Sequence, residues 1–410
     1  MIAREWPEWP EWPVVPAGGQ PPVWSEAYCG GAWLLSGYEE VCAALRDPRF
    51  SVRRAARWIN SGMAAQPDPG APTPEQLRFK RIFARSLLFL DGRAHRRLRG
   101  VVNTGFKPAD LQQQAPVIAA IAERLIAAIE IDDDARDEFD FVERFARPLP
   151  ALVIASLMGL PASVPDAFIA WAADLAAFIG SPTPDARQTL VARQAMADMC
   201  DFFSHALAAP DMPANGMLAR IAEARQERRL TQMEALAQCC TLLFAGYETT
   251  RNLLGNGLLA LLRHPDQWAA LQSEPQRLRM AVREMLRYDS PVQYTGRRLL
   301  DDVEIGGRRL RRGDLAILHI GAANHDPRRF SDPDRFDIGR DEGNHLSFGH
   351  GPHVCLGAAL TQLEAEIAFS ALMRAMPEMT LAADAPTWQT TSAYRALERL
   401  PVAFRSRTHA

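Results

Sequence analysis

The 410-residue chain lacks several features that would place it in other broad classes of protein. It has no basic excess, because 46 lysines and arginines face 49 aspartates and glutamates, and this balance argues against binding to nucleic acid. Its six cysteines are irregularly spaced, unlike those of a secreted disulfide framework. It also has no run of 18 apolar residues, and residues 1–22 do not read as a signal peptide. We therefore expect a cytoplasmic protein with no integral membrane segment.

No Gly/Ser linker or charge run divides the chain, so we expect one large domain over residues 26–410. Residues 1–25 are predicted to form an arm, because the Glu-Trp-Pro repeats at 5–13 forbid a helix. Short apolar runs between glycines over 302–319 predict strands joined by turns. Periodic alanine-rich stretches predict long helices over 111–131, 165–179, 189–208 and 231–263. The sequence thus predicts a mainly α fold with a small β component.

The most informative segment is residues 348–357, with the sequence FGHGPHVCLG. Its three glycines indicate backbone that turns tightly or lies against a flat group. Cys355 comes just before an apolar helical pattern at 356–372, and the amides at a helix N-terminus favour a thiolate. The residues alone leave open a buried structural cysteine, a thiolate ligand of iron, or a zinc site. The zinc ligands would be His345, His350, His353 and Cys355.

The stretch 231–263 predicts a helix of about 48 Å, which is long enough to cross the protein. Thr231 and Glu234 form a capping-box pattern at its start. Its middle contains Ala-Gly-Tyr-Glu-Thr-Thr at residues 245–250, where a glycine costs up to about 1 kcal/mol relative to alanine. The small residues indicate either a helix crossing or space kept free beside the helix for a functional site.

Residues 348–357 resemble the signature of the cytochrome P-450 family, Phe-Gly-x-Gly-x-His/Arg-x-Cys-x-Gly, at every fixed position. The resemblance implies the fold of that family, in which haem is buried between a long central helix and the cysteine loop. It also implies that Cys355 is the axial ligand of the haem iron and that His353 reaches a haem propionate. Phe348 would pack near the ligand sulfur, and Gly357 would border the cofactor.

The centre of the long helix resembles a second family motif, Ala/Gly-Gly-x-Asp/Glu-Thr-Thr/Ser. By this resemblance Ala245 and Gly246 border the haem. Thr249 would contact the cofactor and orient the bound oxygen, and Glu248 would relay protons. Glu248 and Thr249 are therefore the implied catalytic residues.

Two more resemblances concern charged side chains. His95 and Arg99 share a helix face and match the His-x-x-x-Arg pair of the family, whose members bind haem propionates. Arg297 matches a further propionate arginine.

The Glu-x-x-Arg pair at Glu284 and Arg287 stands 71 residues before Cys355, where the family places its structural ion network. Arg335, in the sequence Pro-Asp-Arg-Phe, matches the third member of that network. These three residues are expected to hold the cysteine loop and to have no catalytic role.

The resemblance implies a monooxygenase that binds haem b and takes electrons from NAD(P)H through a ferredoxin reductase and a ferredoxin. It would use O2 to hydroxylate or epoxidise a hydrophobic small molecule, a terpenoid, steroid, fatty acid or polyketide. Candidate pocket residues are Ala245, Val292 and Phe168, together with a loop over 74–90. The alternatives are a peroxygenase that uses H2O2 and a non-enzymatic haem carrier or sensor.

Overall fold

The computed structural model describes residues 18–26, 28, 30–53, 73–131, 138–161, 165–181, 184–209, 213, 215–382, 385–389 and 393–404. The predicted Glu-Trp-Pro repeat lies outside these residues. Helices account for most of the described chain, and the prediction of a mainly α fold with small sheets is confirmed.

The α-helices are α1 (Tyr38–Arg46), α2 (Pro74–Phe83), α3 (Gly92–Val102), α4 (Pro108–Ile131), α5 (Pro148–Met158), α6 (Pro165–Gly180), α7 (Ala186–Ala206), α8 (Met217–Gln226), α9 (Gln232–Arg263), α10 (Pro265–Ser273), α11 (Leu278–Tyr288), α12 (Ile320–Ala323) and α13 (Ala358–Ala375). Short 3-10 turns cover Leu87–Phe89, Asn103–Gly105, Pro275–Arg277 and Gly351–His353, and a π-helical turn covers Val142–Ala146. The strands are β1 (Val23–Ser25), β2 (Ala32–Leu35), β3 (Phe50–Ser51), β4 (Glu138–Asp140), β5 (Tyr294–Leu299), β6 (Val303–Ile305), β7 (Arg308–Leu310), β8 (Leu315–His319), β9 (Thr380–Leu381), β10 (Thr387–Trp388), β11 (Leu397–Arg399) and β12 (Pro401–Ala403).

The largest sheet of the described chain has the strand order β1-β2-β8-β5-β3. Its β2–β8 pair is parallel, whereas β1–β2, β5–β8 and β3–β5 are antiparallel. The strands predicted over 302–319 are found as β6, β7 and β8, and β6 and β7 form a separate antiparallel pair. The edge strand β1 includes the last residues of the predicted arm, at 23–25.

The long helix α9 begins with the expected capping box, because Thr231 and Glu234 bond to each other's backbone amides. It packs against α5, α6 and α7 and also contacts α11 and α13. A Cβ at Gly257 would lie 2.8 Å from the Met285 sulfur, so the glycine permits close packing of α9 on α11. Within the described residues, no helix is both long enough and apolar enough to cross a bilayer.

Part of the expected loop over 74–90 is helical, which corrects the sequence prediction. Thr73 and Gln76 form a second capping box, and Pro74 occupies the first turn, where proline needs no amide hydrogen. These residues start α2, and the chain then passes through the 3-10 turn at Leu87–Phe89 before α3.

Candidate active site

The cysteine loop is closed by its own backbone. The Cys355 amide donates to the Phe348 carbonyl at 2.7 Å, and the Gly349 amide donates to the Leu346 carbonyl at the same distance. Gly349 and Gly351 have φ angles of 70° and 74°, in the left-handed region that glycine adopts without strain. The tight turns therefore account for two of the three glycines, and Cys355 is presented just before α13.

The Cys355 side chain is accessible, yet the surrounding protein shields it from bulk water. This burial raises the pKa of the thiol. The amides of Gly357 and Ala358 and the guanidinium of Arg99 favour the thiolate and act in the opposite direction. A metal cation at Sγ would deprotonate the thiol fully. The loop is therefore suited to hold a metal through one thiolate.

Two imidazole rings, one of them from the loop, are in contact at a tilted angle of 37°. The rings of His95, on α3, and His353 have centroids 4.1 Å apart, and His353 Nε2 lies 3.4 Å from Asp91 Oδ1. Burial and the nearby His353 lower the pKa of His95 to about 4. His95 Nε2 is buried and has no hydrogen-bond partner among the described residues. A carboxylate of a bound cofactor would satisfy this atom, since buried polar atoms normally have a partner.

The two arginines that the resemblance assigns to the propionates are each held by a hydrogen bond within the protein. Arg99 Nη2 donates to the Val354 carbonyl at 2.7 Å, which ties α3 to the residue before Cys355. Arg297, on β5, is buried, and its Nη1 donates to Thr295 Oγ1 at 2.7 Å. Guanidinium groups in such positions suit a ligand that carries carboxylates.

One face in the middle of α9 stays accessible although most of this helix is buried. The partly accessible residues Leu242, Ala245, Gly246 and Thr249 recur at helical spacing, whereas Leu243, Phe244, Tyr247 and Glu248 are buried. The Thr249 hydroxyl donates to the Ala245 carbonyl at 3.1 Å, a local bond that can bend a helix. This face is apolar except for the threonine hydroxyl, as expected for a helix that borders a cofactor and an apolar ligand.

Gly246 also serves the packing of α9. A Cβ at this position would lie 2.8 Å from Cδ1 of Ile154 on α5, so the glycine permits the close approach of α9 and α5. Because Gly246 is partly accessible, as Ala245 and Thr249 are, its position next to the haem stays a prediction.

Glu248 is buried beside Arg251, one turn further along α9. Its Oε1 lies 3.5 Å from Arg251 Nη1 and accepts from Asn252 Nδ2 at 3.2 Å. Its Oε2 has no hydrogen-bond partner among the described residues. Sequence reasoning missed the role of Arg251, although the Glu-x-x-Arg spacing was visible, because the same spacing recurs on exposed helices.

The predicted ion network is present, but one member is different. Arg287 binds Glu284 through two hydrogen bonds of 2.7 and 2.8 Å. Arg340 lies 3.3 Å from Glu284 Oε1, whereas the Arg335 side chain is 67% exposed and lies 4.0 Å from Asp337. The chain turns so that only the Arg335 carbonyl faces the network, where it accepts from Arg287 and Arg340. The prediction of Arg335 as the third charged member was therefore wrong, and Arg340 takes that place.

Asn324 connects this network to the cysteine loop. Its carbonyl accepts from Arg287 Nη1 at 2.9 Å, and its side-chain Oδ1 accepts from the Leu346 amide at 2.7 Å. Its Nδ2 donates to Ser347 Oγ at 2.9 Å. Leu346 and Ser347 directly precede the loop, so the buried ions fix its starting point. No sequence signal distinguished this asparagine.

The zinc interpretation of the loop is not supported. Among the described residues, no three His, Cys, Asp or Glu side chains lie close enough together to hold a metal ion. His353 instead contacts Asp91 and His95.

The candidate pocket residues Phe168 and Val292 differ in their surroundings. Phe168 is 1% exposed and packs against Trp171, Phe202 and Phe203, between α6 and α7. It belongs to the core, which corrects its assignment to the pocket. Val292 is only partly buried and remains a candidate.

These residues fit a haem. The accessible thiol of Cys355 lies in a loop closed by backbone hydrogen bonds. The unpartnered nitrogen of His95 and the guanidinium groups of Arg99 and Arg297 suit the carboxylates of a haem. The helix face at Ala245 and Thr249 carries small, partly accessible side chains. Together, the fold and the site define the class of haem-thiolate oxygenases.

Comparison with known proteins supports this class. The family model described as Cytochrome P450 matches residues 209–376. The chain is 36% identical to the biotin biosynthesis cytochrome P450 of Bacillus subtilis, over 91% of this chain and 90% of that protein. It is 33% identical to the 6-deoxyerythronolide B hydroxylase of Saccharopolyspora erythraea, over 90% of each chain.

A solved structure has the same architecture. The crystal structure of P450BioI in complex with acyl carrier protein ligated to hexadec-9Z-enoic acid has a TM-score of 0.80 and 35% identity, covering 91% of this chain and 92% of that chain. The chain therefore belongs to the cytochrome P450 family and is a P450 monooxygenase.

Proposed function

We propose that this monooxygenase hydroxylates or epoxidises a hydrophobic molecule of the fatty-acyl or polyketide class. Electrons would come from NAD(P)H through a ferredoxin reductase and a ferredoxin, in the cytoplasm. The observation that carries the reaction type is the accessible Cys355 thiol, which the amides of Gly357 and Ala358 help to ionise. The substrate class is supported by relatives that are named a 6-deoxyerythronolide B hydroxylase and a P450 bound to an acylated carrier protein.

Haem b bound through Cys355 supplies the reductive activation of O2. The protein would hold its carboxylates with His95, Arg99 and Arg297, and the unpartnered Nε2 of His95 supports this assignment. His353 would act beside them, since its ring contacts that of His95 and its Nε2 lies near Asp91. Phe348 would pack near the sulfur, because its carbonyl accepts from the Cys355 amide.

Proton supply is assigned to the acid–alcohol pair of α9. The Thr249 hydroxyl lies on the accessible face of the helix and would hold a proton donor at the reacting oxygen. Glu248 is the next residue and is buried, so it would pass protons to this position from the other side of the helix.

The pocket would be narrow and mostly apolar. Leu242 and Ala245 on α9 and Val292 before β5 are partly accessible apolar residues. Phe178 of α6 packs on Phe79 and Phe83 of α2 with centroids 5.6 and 5.9 Å apart, which joins these two helices. An aliphatic chain fits such a lining because it needs few polar partners.

The test uses haem-loaded enzyme with a ferredoxin, its reductase and NADPH. We expect hexadecenoic acid or a macrolactone to shift the spin state of the haem and to give an oxygenated product that requires O2 and reduced ferredoxin. The variant Ala245→Phe should lose the spectral shift, whereas Ala170→Phe, on the exposed side of α6, should keep it.

Two other functions would give different results. Comparable product formation with H2O2 alone, and none with the redox partners, would indicate a peroxygenase. Tight ligand binding without product under either condition would indicate a carrier or sensor.

A further inference from the structure

The overall reaction requires a path for protons. Monooxygenation consumes two protons and two electrons for each O2, because one oxygen atom enters the substrate and the other leaves as water. The protons must originate in bulk water, while the accessible face of α9 at Leu242 and Ala245 is apolar. A water-filled passage that reaches Glu248 without crossing this apolar face could deliver protons from bulk water.

A cavity of about 320 Å3 reaches Glu248 from outside. One wall consists of Ala173, Ala176 and Ala177 on α6, and Glu248 lines the cavity from α9. The opposite wall comes from the C-terminal strand pair β10–β11 and includes Glu398, which is exposed. The volume suffices for about ten water molecules, each with a share of about 30 Å3 in the liquid.

The Glu248 carboxylate is only partly hydrogen-bonded within the described protein. It is 2% exposed, its Oε1 has Arg251 and Asn252 as partners, and its Oε2 has none in the described chain. Leaving a buried carboxylate oxygen without a partner is unfavourable. Glu248 lines a cavity that can hold water, but Oε2 itself is shielded from solvent. Water in the cavity can therefore provide the missing hydrogen bond once the carboxylate turns towards it.

Arg251 is held in place from the C-terminal side. Its Nη2 donates to the Leu397 carbonyl at 2.7 Å on β11. With the Gln389 amide oriented for hydrogen bonding, Gln389 Oε1 accepts from both terminal nitrogens of Arg251, at 2.9 and 3.2 Å. Arg251, the cation beside Glu248, is therefore anchored both by its own helix α9 and by the C-terminal strands. Helix α6 contributes only alanines to the cavity wall.

We propose that this cavity is the route by which solvent protons reach Glu248, and that Arg251 is the positioning residue that holds the carboxylate at its inner end. The inference rests on the proposed proton-relay role of Glu248. A proton enters from water near Glu398 and is carried along the cavity to the ionised Glu248 carboxylate, which takes it up and then releases it toward Thr249. Net charge and electrons are unchanged at Glu248 over the cycle.

The test compares turnover of the same haem-loaded enzyme with O2 and its redox partners and with H2O2. With H2O2 as oxidant the substrate is oxygenated and water is released with no net proton uptake, whereas the O2 reaction needs protons. Ala177→Leu narrows the cavity without changing Glu248 or Arg251, and Ala170→Leu places the same side chain on the exposed face of α6. Arg251→Met removes the anchor, and Arg251→Lys restores a cation.

We expect Ala177→Leu and Arg251→Met to lower coupled O2-driven turnover about ten-fold, which is less than the loss of about 100-fold or more expected when a positioned proton-transfer group is itself removed. The solvent deuterium isotope effect should rise in both variants, and Arg251→Lys should recover part of the loss. For Ala177→Leu, peroxide-driven product formation, the substrate-induced spin shift and the thermal midpoint should match those of Ala170→Leu. The thermal midpoint of Arg251→Met should fall, because the buried Glu248 carboxylate loses its cation. If Arg251→Met does not fold, Ala177→Leu decides the question.

Two outcomes would overturn the inference, and they differ from each other. If Glu248→Gln lowers coupling and the cavity variants do not, protons enter elsewhere and the relay role of Glu248 stands. If Glu248→Gln leaves coupling and the isotope effect unchanged, the proposed relay itself is wrong.

Discussion

Arg340 lies 3.3 Å from the same Glu284 carboxylate that Arg287 binds with two hydrogen bonds, so one buried acid holds two arginines. Glu284 Oε1 also accepts from the Asp337 amide at 3.0 Å. Through Arg287 and Asn324 this cluster reaches the start of the cysteine loop. The loop that presents Cys355 is thus held by ions that make no contact with its sulfur.

Replacing Arg340 by alanine should lower the free energy of unfolding by about 2 kcal/mol, because a hydrogen bond to a charged buried group is lost. The matched variant Arg335→Ala should change it by less than about 0.5 kcal/mol, since that side chain is exposed. Urea unfolding of both haem-loaded variants measures the difference. Equal losses would contradict the assignment of Arg340.

Replacing Cys355 by serine should abolish the red-shifted carbon-monoxide difference band of the reduced haem protein, because that band requires a thiolate ligand. Cys42→Ala removes a buried cysteine of α1 and should leave the band unchanged. A band that survives in Cys355→Ser would mean that another residue holds the iron.

Replacing Thr249 by alanine should uncouple NADPH use from product formation, with most of the electrons appearing as H2O2. The expected loss of coupling is about ten-fold or more, because the variant removes a positioned hydroxyl. Thr241→Ala is the matched control, since Thr241 makes the same type of bond to the carbonyl four residues earlier, at 2.6 Å. Unchanged coupling in Thr249→Ala would exclude the hydroxyl from proton supply.

The buried His319 should make the protein less stable at acidic pH. Burial lowers its pKa to about 3, below the ordinary value of 6.5. The unfolded chain therefore binds the proton first, and stability falls as the pH drops from about 6.5 towards 3, by up to about 1.4 kcal/mol per unit. His319→Gln should reduce this slope in urea unfolding at pH 4.5–7. It should not remove it, because burial also lowers the pKa of His345 to about 3. An unchanged slope would show that His319 does not contribute.

The buried Glu364 should have the opposite effect and make the protein less stable as the pH rises. Burial on α13 raises its pKa to about 8 from 4.5, and its Oε1 has no hydrogen-bond partner in the described chain. The native state keeps the proton, so stability is lost as the pH rises from about 4.5 through 8, by up to about 1.4 kcal/mol per unit.

Glu364→Gln should therefore become more stable relative to the parent protein as the pH rises from 5 to 8. The control Glu366→Gln lies two residues further on α13 and is only partly buried, and it should show no such trend. A constant difference across the pH range would contradict the buried-acid assignment.

The sequence could predict features that are local in the chain. The cysteine loop, the capping box at Thr231 and the strands at 302–319 depend on residues a few positions apart, and all of them appear in the structure. The start of α2 was equally readable from Thr73 and Gln76, but the surrounding prolines outweighed that signal.

Features that depend on distant partners could not be predicted in this way. The packing role of Gly246 depends on Ile154, which lies on another helix 92 positions earlier. The choice between Arg335 and Arg340 depends on how the chain turns after Asp332, whose φ of 41° is left-handed. Arg251 acquires its role from Leu397 and Gln389, near the opposite end of the sequence.

The hydrogen bond between Arg251 and the Leu397 carbonyl of β11 has a practical consequence for engineering. The C-terminal strands are part of the frame around Glu248, because the Leu397 carbonyl and Gln389 fix its cationic neighbour. A reductase domain fused after residue 410 would exert force on these strands if it were joined rigidly. A self-sufficient fusion should therefore use a long Gly/Ser linker, so that the added domain moves without loading the strand that holds Arg251.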